Sequence, residues 1–96
     1  MIVDDLLYCS LNIVNEKGST VGTQFIVGID TEKEILNVFC EENPGTSKFY
    51  DLPFTYLGFI DREIDGSFVK LVRHRKATIE KKINIYNFYL NKYKGV

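Results

Sequence analysis

The last third of the chain carries the pattern that most constrains its fold. Five apolar residues recur there at helical intervals, namely Ile79, Ile83, Tyr86, Leu90 and Tyr93. This spacing places all five on one side of an α-helix, so it predicts an amphipathic helix over residues 78–94. Thr78 can cap the start of that helix, and Gly95 suits the left-handed turn that ends one.

The residues before this helix predict β-strands joined by short turns. Five segments have the alternating or continuous apolar pattern of strands, namely residues 5–14, 20–29, 34–41, 54–64 and 67–75. Residues 47–53 are less regular, and Pro53 argues against a central strand there. Gly22 and Gly28 lie inside the second strand and indicate bulges or the close packing of another element.

Asp65 and Gly66 predict a two-residue hairpin turn between the last two strands. The loop pairs Ile64 with Ser67. The same register brings further residues together in the pairs Asp61–Lys70, Ile60–Leu71 and Phe59–Val72. Opposite charges then face each other and apolar residues face apolar residues, as cross-strand stabilisation requires.

These elements predict an α+β fold over a single domain, residues 1–96. We expect an antiparallel five-stranded sheet or a small open barrel, with one C-terminal helix packed on it. No apolar run approaches the ~18–20 residues that span a bilayer, and the N-terminus lacks the pattern of a secretory signal. The sequence therefore predicts a cytoplasmic protein that does not enter a membrane.

The two cysteines fit this location. Cys9 and Cys40 each have apolar neighbours, which favours two buried reduced thiols. A disulfide between them is the alternative, and it requires that their strands be neighbours.

The abundance of residues with A/T-rich codons, with one alanine and no tryptophan, indicates an AT-rich bacterium, a phage or another virus as the source.

Residue types that carry chemistry are scarce. His74 is the one histidine, and the hairpin register places it near a strand end, opposite Leu57. A structural role is favoured over a catalytic one, because a Cys–His pair needs a cysteine and an orienting group beside the imidazole. The sequence has no C-x-x-C pair, calcium loop or phosphate-binding glycine motif. We therefore predict no catalytic residue, no metal and no cofactor.

The charges are divided between the two parts of the chain. Residues 1–60 carry a net charge of −6 and residues 61–96 carry +5. Such a division suits docking on a charged protein partner, because complementary potentials speed encounter and fix orientation.

The candidate binding residues are the basic side chains of the last strand and the helix, with two apolar side chains of the helix. They are Lys70, Arg73, Arg75, Lys76, Lys81, Lys82, Ile85 and Phe88. Lys82 lies off the apolar helix stripe and is expected to face solvent. If Ile85 and Phe88 both stay exposed, they form a patch for a partner or a dimer mate; a wider core-facing stripe is the alternative.

The leading hypothesis is a small non-enzymatic protein-binding module, inhibitor-like or adaptor-like, encoded by a phage or other mobile element. Its partner would be a host protein or a second copy of the chain. The alternative is a nucleic-acid-binding protein that uses the basic 70–82 stretch, although the sequence pI of 5.8 is below the value of about 9 that usually marks such domains. A minimal enzyme that uses His74 with a cysteine is the third hypothesis.

Overall fold

A computed structural model describes residues 3–43 and 46–93 of the chain. The fold is α+β, with one open antiparallel sheet and one C-terminal helix. The elements are β1 (Ser10–Val14), β2 (Thr20–Asp30), β3 (Ile35–Asn43), β4 (Thr46–Pro53), β5 (Glu63–Ile64), β6 (Ser67–Val72) and α1 (Lys76–Tyr93). The spatial order is β4-β3-β2-β1-β6-β5, so β1 lies inside the sheet and pairs with both β2 and β6.

The strand count and the barrel alternative are corrected by this sheet. It has six strands instead of five, and it stays open because β4 and β5 form opposite edges. The additional strand is β4, which covers the uncertain segment 47–53. Pro53 lies at the end of an edge strand, so its missing N–H removes no hydrogen bond from the centre of the sheet.

Only the second half of the predicted first strand, 5–14, is a strand in the structure. Its beginning belongs to a 3-10 helix, Val3–Leu6, and the chain then turns through Tyr8, which has a φ of 67°. This turn brings Leu6, which is 0% exposed, into the core. Burial of that leucine offsets the cost of the left-handed tyrosine.

The predicted strand 54–64 is wrong over most of its length. Residues Phe54–Phe59 form a 3-10 helix, and only β5 pairs with β6. The hairpin turn and its Ile64–Ser67 pair are confirmed. Asp61 has a φ of 61° and interrupts the ladder, so Ile60 bridges Val69 instead of Leu71. Asp61 and Lys70 are not ladder partners, but their side chains form the ion pair that the predicted register brought together.

The two faces of the sheet are covered by different elements. One face carries the main core, formed by Leu6, Leu11, Ile26, Leu36, Val38 and Val69. Side chains of the 3-10 helix Phe54–Phe59 pack against that cluster. The opposite face carries Phe25, Phe39 and Phe49, and Tyr86 of α1 meets Phe49 edge to face with ring centroids 5.3 Å apart.

A bulge in β2 changes which face of the sheet the side chains after it point to. Phe25 pairs with Phe39 on the helix side, but Gly28 pairs with Asn37, so Val27 is an extra residue. Ile29 therefore packs into the main core instead of sharing the side of Phe25. Gly22, the other glycine of β2, also lies next to a register shift, so a bulge, one of the two predicted alternatives, is found beside both glycines.

The C-terminal helix is confirmed, with an earlier start. It begins at Lys76, so Thr78 lies inside its first turn and does not cap it. The predicted stripe residues Ile79, Ile83, Tyr86 and Leu90 are all half-buried. The side chain of Tyr93 and the proposed cap Gly95 lie outside the described residues.

Candidate functional site

The structure separates seven of the eight predicted binding residues into three groups, and it places Lys82 apart from them. Arg75, Lys76 and Lys81 are exposed near the start of α1. Lys70 and Arg73 are exposed but engaged. The Lys70 ammonium lies 2.9 Å from a carboxylate oxygen of Asp61, and the Arg73 guanidinium donates a hydrogen bond to the Asp5 carbonyl at 3.3 Å. The basic 70–82 stretch is therefore not one continuous cationic row.

The third group consists of the apolar residues Ile85 and Phe88, which lie on two different sides of the helix. Phe88 is 64% exposed. Ile85 is half-buried and lines a cleft of about 270 Å³ beneath the helix, together with Phe25 and Phe39. The two side chains therefore do not form one patch, and Ile85 belongs to a wider sheet-facing stripe.

Lys82 is the clearest departure from the expectation that it faces solvent. Its ammonium points towards the sheet and donates a hydrogen bond to the Ser10 hydroxyl at 3.1 Å. The same nitrogen lies 3.1 Å from Nε2 of His74 and 4.6 Å from the centroid of the Phe25 ring. Lys82 thus fixes the helix to the middle of the sheet through a polar contact.

The Ser10–His74–Lys82 cluster joins β1, the segment after β6 and α1. Ser10 is 0% exposed, and its Oγ lies 2.5 Å from Nε2 of His74. The imidazole lies against Phe25, edge to face, with centroids 5.9 Å apart. Nε2 can accept a hydrogen bond from Lys82 only if the imidazole is neutral, with its hydrogen on Nδ1.

The electrostatics of the cluster favour that neutral form. Burial lowers the pKa of His74, and the neighbouring Lys82 ammonium lowers it further. Burial also lowers the pKa of Lys82. No carboxylate of the described residues forms an ion pair with Lys82, although Glu41 lines the same cleft. The cluster therefore holds a poorly compensated cation.

The chemistry that this arrangement allows is limited by access. A serine beside a histidine and a lysine is the composition of an activated nucleophile. Here the serine side chain is fully covered, so a substrate cannot reach Oγ while the helix is in place. His74, which was placed opposite Leu57 at a strand end, instead lies beneath the helix against Ser10. In this conformation the cluster is a structural polar contact.

Both cysteines are buried, and neither forms a disulfide. The alternative of a disulfide fails because β2 lies between the strand that follows Cys9 and the strand that contains Cys40. Burial raises the pKa of the Cys9 thiol, which the charge of Arg73 partly opposes and that of Asp5 reinforces. A raised pKa makes the thiol a poor nucleophile.

The protonation of His74 predicts a specific pH dependence of stability. Its pKa in the folded state lies below the ordinary value of 6.5, so the unfolded chain binds more protons between the two values. The free energy of unfolding should therefore fall as the pH falls from 6.5 through the folded-state pKa. We expect His74→Gln, which keeps a polar atom near Nε2, to flatten this part of the curve.

Denaturant titrations of both proteins at a series of pH values would measure the effect. Carboxylates titrate mainly below about pH 5, so the comparison is made above that value. Equal slopes for the wild-type protein and His74→Gln would show that His74 does not cause the dependence.

The fold and the cluster define the chain as a small α+β protein with a helix fixed across an open antiparallel sheet. Comparisons with protein-family models, curated proteins and solved structures find no match. Within the described ranges, no helix is long and apolar enough to cross a membrane. The same residues contain no group of three or more His, Cys, Asp or Glu side chains that could hold a metal ion.

Sequence reasoning missed the polar cluster because its members are far apart in the chain. Ser10 is separated from His74 by 64 positions and from Lys82 by 72. One signal was available. Lys82 and Ile85 continue, at helical spacing, a row that starts at Thr78, and this row is the wider stripe that the sequence left as an alternative.

Proposed function

We propose that this protein is a small non-enzymatic protein-binding module, inhibitor-like or adaptor-like, that docks on a partner through the outer face of α1. This outer face consists of the exposed helix residues Lys76, Ala77, Glu80, Lys81, Asn84, Asn87, Phe88, Asn91 and Lys92. The observation that carries the proposal is the 64% exposure of Phe88 in the middle of this polar face. Exposed aromatic side chains surrounded by polar residues are typical anchors of protein interfaces.

The charges of the outer face indicate the kind of partner. Lys76, Lys81 and Lys92 are exposed there, against the single acidic residue Glu80. A partner with an acidic rim around an apolar pocket would therefore complement both the cations and the aromatic ring. Lys82 and Ile85 support this face from below, because they pack towards the sheet.

We propose that the interaction takes place in the cytoplasm and that a phage or other mobile element encodes the protein. A host protein is then the natural partner. Binding of nucleic acid by residues 70–82 remains a prediction with less structural support, since Lys82 points inwards and Lys70 is paired with Asp61.

Site-specific photo-crosslinking can test the docking face. A photoreactive phenylalanine analogue at Phe88 should capture a defined partner from the producing cell or its host. The same analogue at Val21 is a matched control, because Val21 is 62% exposed on a strand. Capture from position 88 should weaken as salt is added, since screening reduces the attraction of the basic rim.

Two results would count against the proposal. Identical products from positions 88 and 21 would indicate non-specific capture, and no protein product from position 88 would remove the docking face. A product that disappears on nuclease treatment would instead favour the nucleic-acid alternative.

A further inference from the structure

We infer that β4 pairs edge to edge with β4 of a second copy, so that two sheets join into one twofold-symmetric dimer. This surface is separate from the outer face of α1 and goes beyond the proposed function. It rests on the position of β4 at the sheet edge, on the residues that β4 exposes, and on which residues lie opposite each other when two antiparallel copies of β4 pair.

The two edge strands of the sheet differ in length, and therefore in how well each could pair with another strand. β5 has two residues, which is too short to template another strand. β4 has eight residues and a strand neighbour on one side only. Long edge strands are ready sites for strand addition, because one row of backbone groups faces outwards. β4 also exposes two aromatic residues, Phe49 at 38% and Tyr50 at 37%.

Symmetry limits the registers that two β4 strands can adopt. Antiparallel strands of one sheet are related by a twofold axis perpendicular to the sheet, so directly opposite residues lie on the same face. One residue must then lie opposite its own copy. With Phe49 at the axis, the two Phe49 rings meet on the helix side. On the other side, each Lys48 lies opposite a Tyr50, which permits a cation–π contact in both places.

The neighbouring register is less favourable. With Tyr50 at the axis, Phe49 would lie opposite Asp51, and this mismatch would occur twice. Pro53 would also enter the paired segment, where its missing N–H interrupts the ladder. The sequence of β4 therefore favours the register centred on Phe49 over the one centred on Tyr50.

Phe49 is already held in place for this contact. Its ring lies 5.4 Å from that of Phe39 and 5.3 Å from that of Tyr86, between centroids. An anchored aromatic side chain loses little conformational entropy on association. The perpendicular axis places both helices on the same side of the joined sheet.

Sedimentation measurements on the full chain over a concentration series test the inference. The wild-type protein should sediment at twice the chain mass of 11.1 kDa at the higher concentrations. Tyr50→Lys places a lysine opposite Lys48 at both positions and should raise the dimer Kd by about tenfold or more. The double variant Lys48→Glu/Tyr50→Lys restores opposite charges and should recover the dimer.

Two controls make the result specific. Phe88→Asp, which disables the proposed docking face, should leave the dimer Kd unchanged, so the two proposals can fail independently. Amide hydrogen exchange of β4 in the wild-type protein should slow as concentration rises, and this measurement needs no variant. A chain that stays monomeric, exchange that does not depend on concentration, or a Tyr50→Lys variant that still dimerises would each overturn the inference.

Discussion

Truncation of Leu11 to alanine is expected to lower the free energy of unfolding by about 3–4 kcal/mol. Leu11 is 0% exposed and lies in β1, between β2 and β6, where it pairs with Leu71 and packs into the main core. Its removal leaves a cavity that the paired strands on both sides cannot close. For a domain of this size the loss is a large fraction of a total stability of about 5–15 kcal/mol.

Denaturant unfolding of the variant measures this loss. Leu7→Ala is the matched control, since Leu7 is 38% exposed and the same atoms are removed, and it should cost less than about 1 kcal/mol. Similar losses for the two variants would contradict the placement of Leu11 at the centre of the core.

Truncation of Phe25 to alanine should have a comparable effect, about 3–5 kcal/mol, on the other side of the sheet. Phe25 is 2% exposed, and its ring contacts both His74 and Lys82. Removal of the ring admits water to the cluster. Because burial is the main cause of the lowered pKa of His74, that pKa should move back towards 6.5.

An NMR titration can follow this change without assignment problems, since the chain has one histidine. Phe25→Leu keeps an apolar cover and should leave the pKa of His74 closer to that of the wild-type protein. Phe59→Ala, which removes a ring that is 42% exposed, should leave it unchanged. If Phe25→Ala destabilised the protein and the pKa of His74 did not move, burial by Phe25 would not be the cause of the shift.

The sequence predicted the parts of the fold that local patterns determine. The helix followed from a repeated 3–4 spacing, and the hairpin followed from Asp65 and Gly66, which both adopt positive φ. Residues 54–59 were predicted to belong to a strand because their apolar pattern is typical of one. Their 3-10 conformation instead packs Phe54, Tyr56 and Leu57 against the main core, a tertiary contact that no local pattern encodes.

The candidate site was less predictable for a related reason. Lys82 was expected to face solvent because it lies off the apolar stripe of the helix. Its actual position depends on Ser10 and His74, which only the pairing of β1 with β6 brings close to each other. The sequence also did not show whether Phe88 is exposed or buried. Ile85 and Phe88 lie three positions apart on the helix, and only the contact of the helix with the sheet shows that Ile85 is covered and Phe88 is not.

The extra residue Val27 in β2 has a consequence for natural variation in this chain. It reverses the facing of everything that follows it in the strand, which is why Ile29 reaches the main core. Loss of the Val27 codon would remove this extra residue and restore regular alternation, which leaves Phe25 on the helix side and Ile29 in the main core. The exposed turn at Lys17 and Gly18 likewise has no inward-facing side chain to displace. Length variants should therefore be tolerated at Val27 and in that turn, and be purged from the regularly paired residues 36–39 of β3, where the loss of one residue would turn core side chains to the other face.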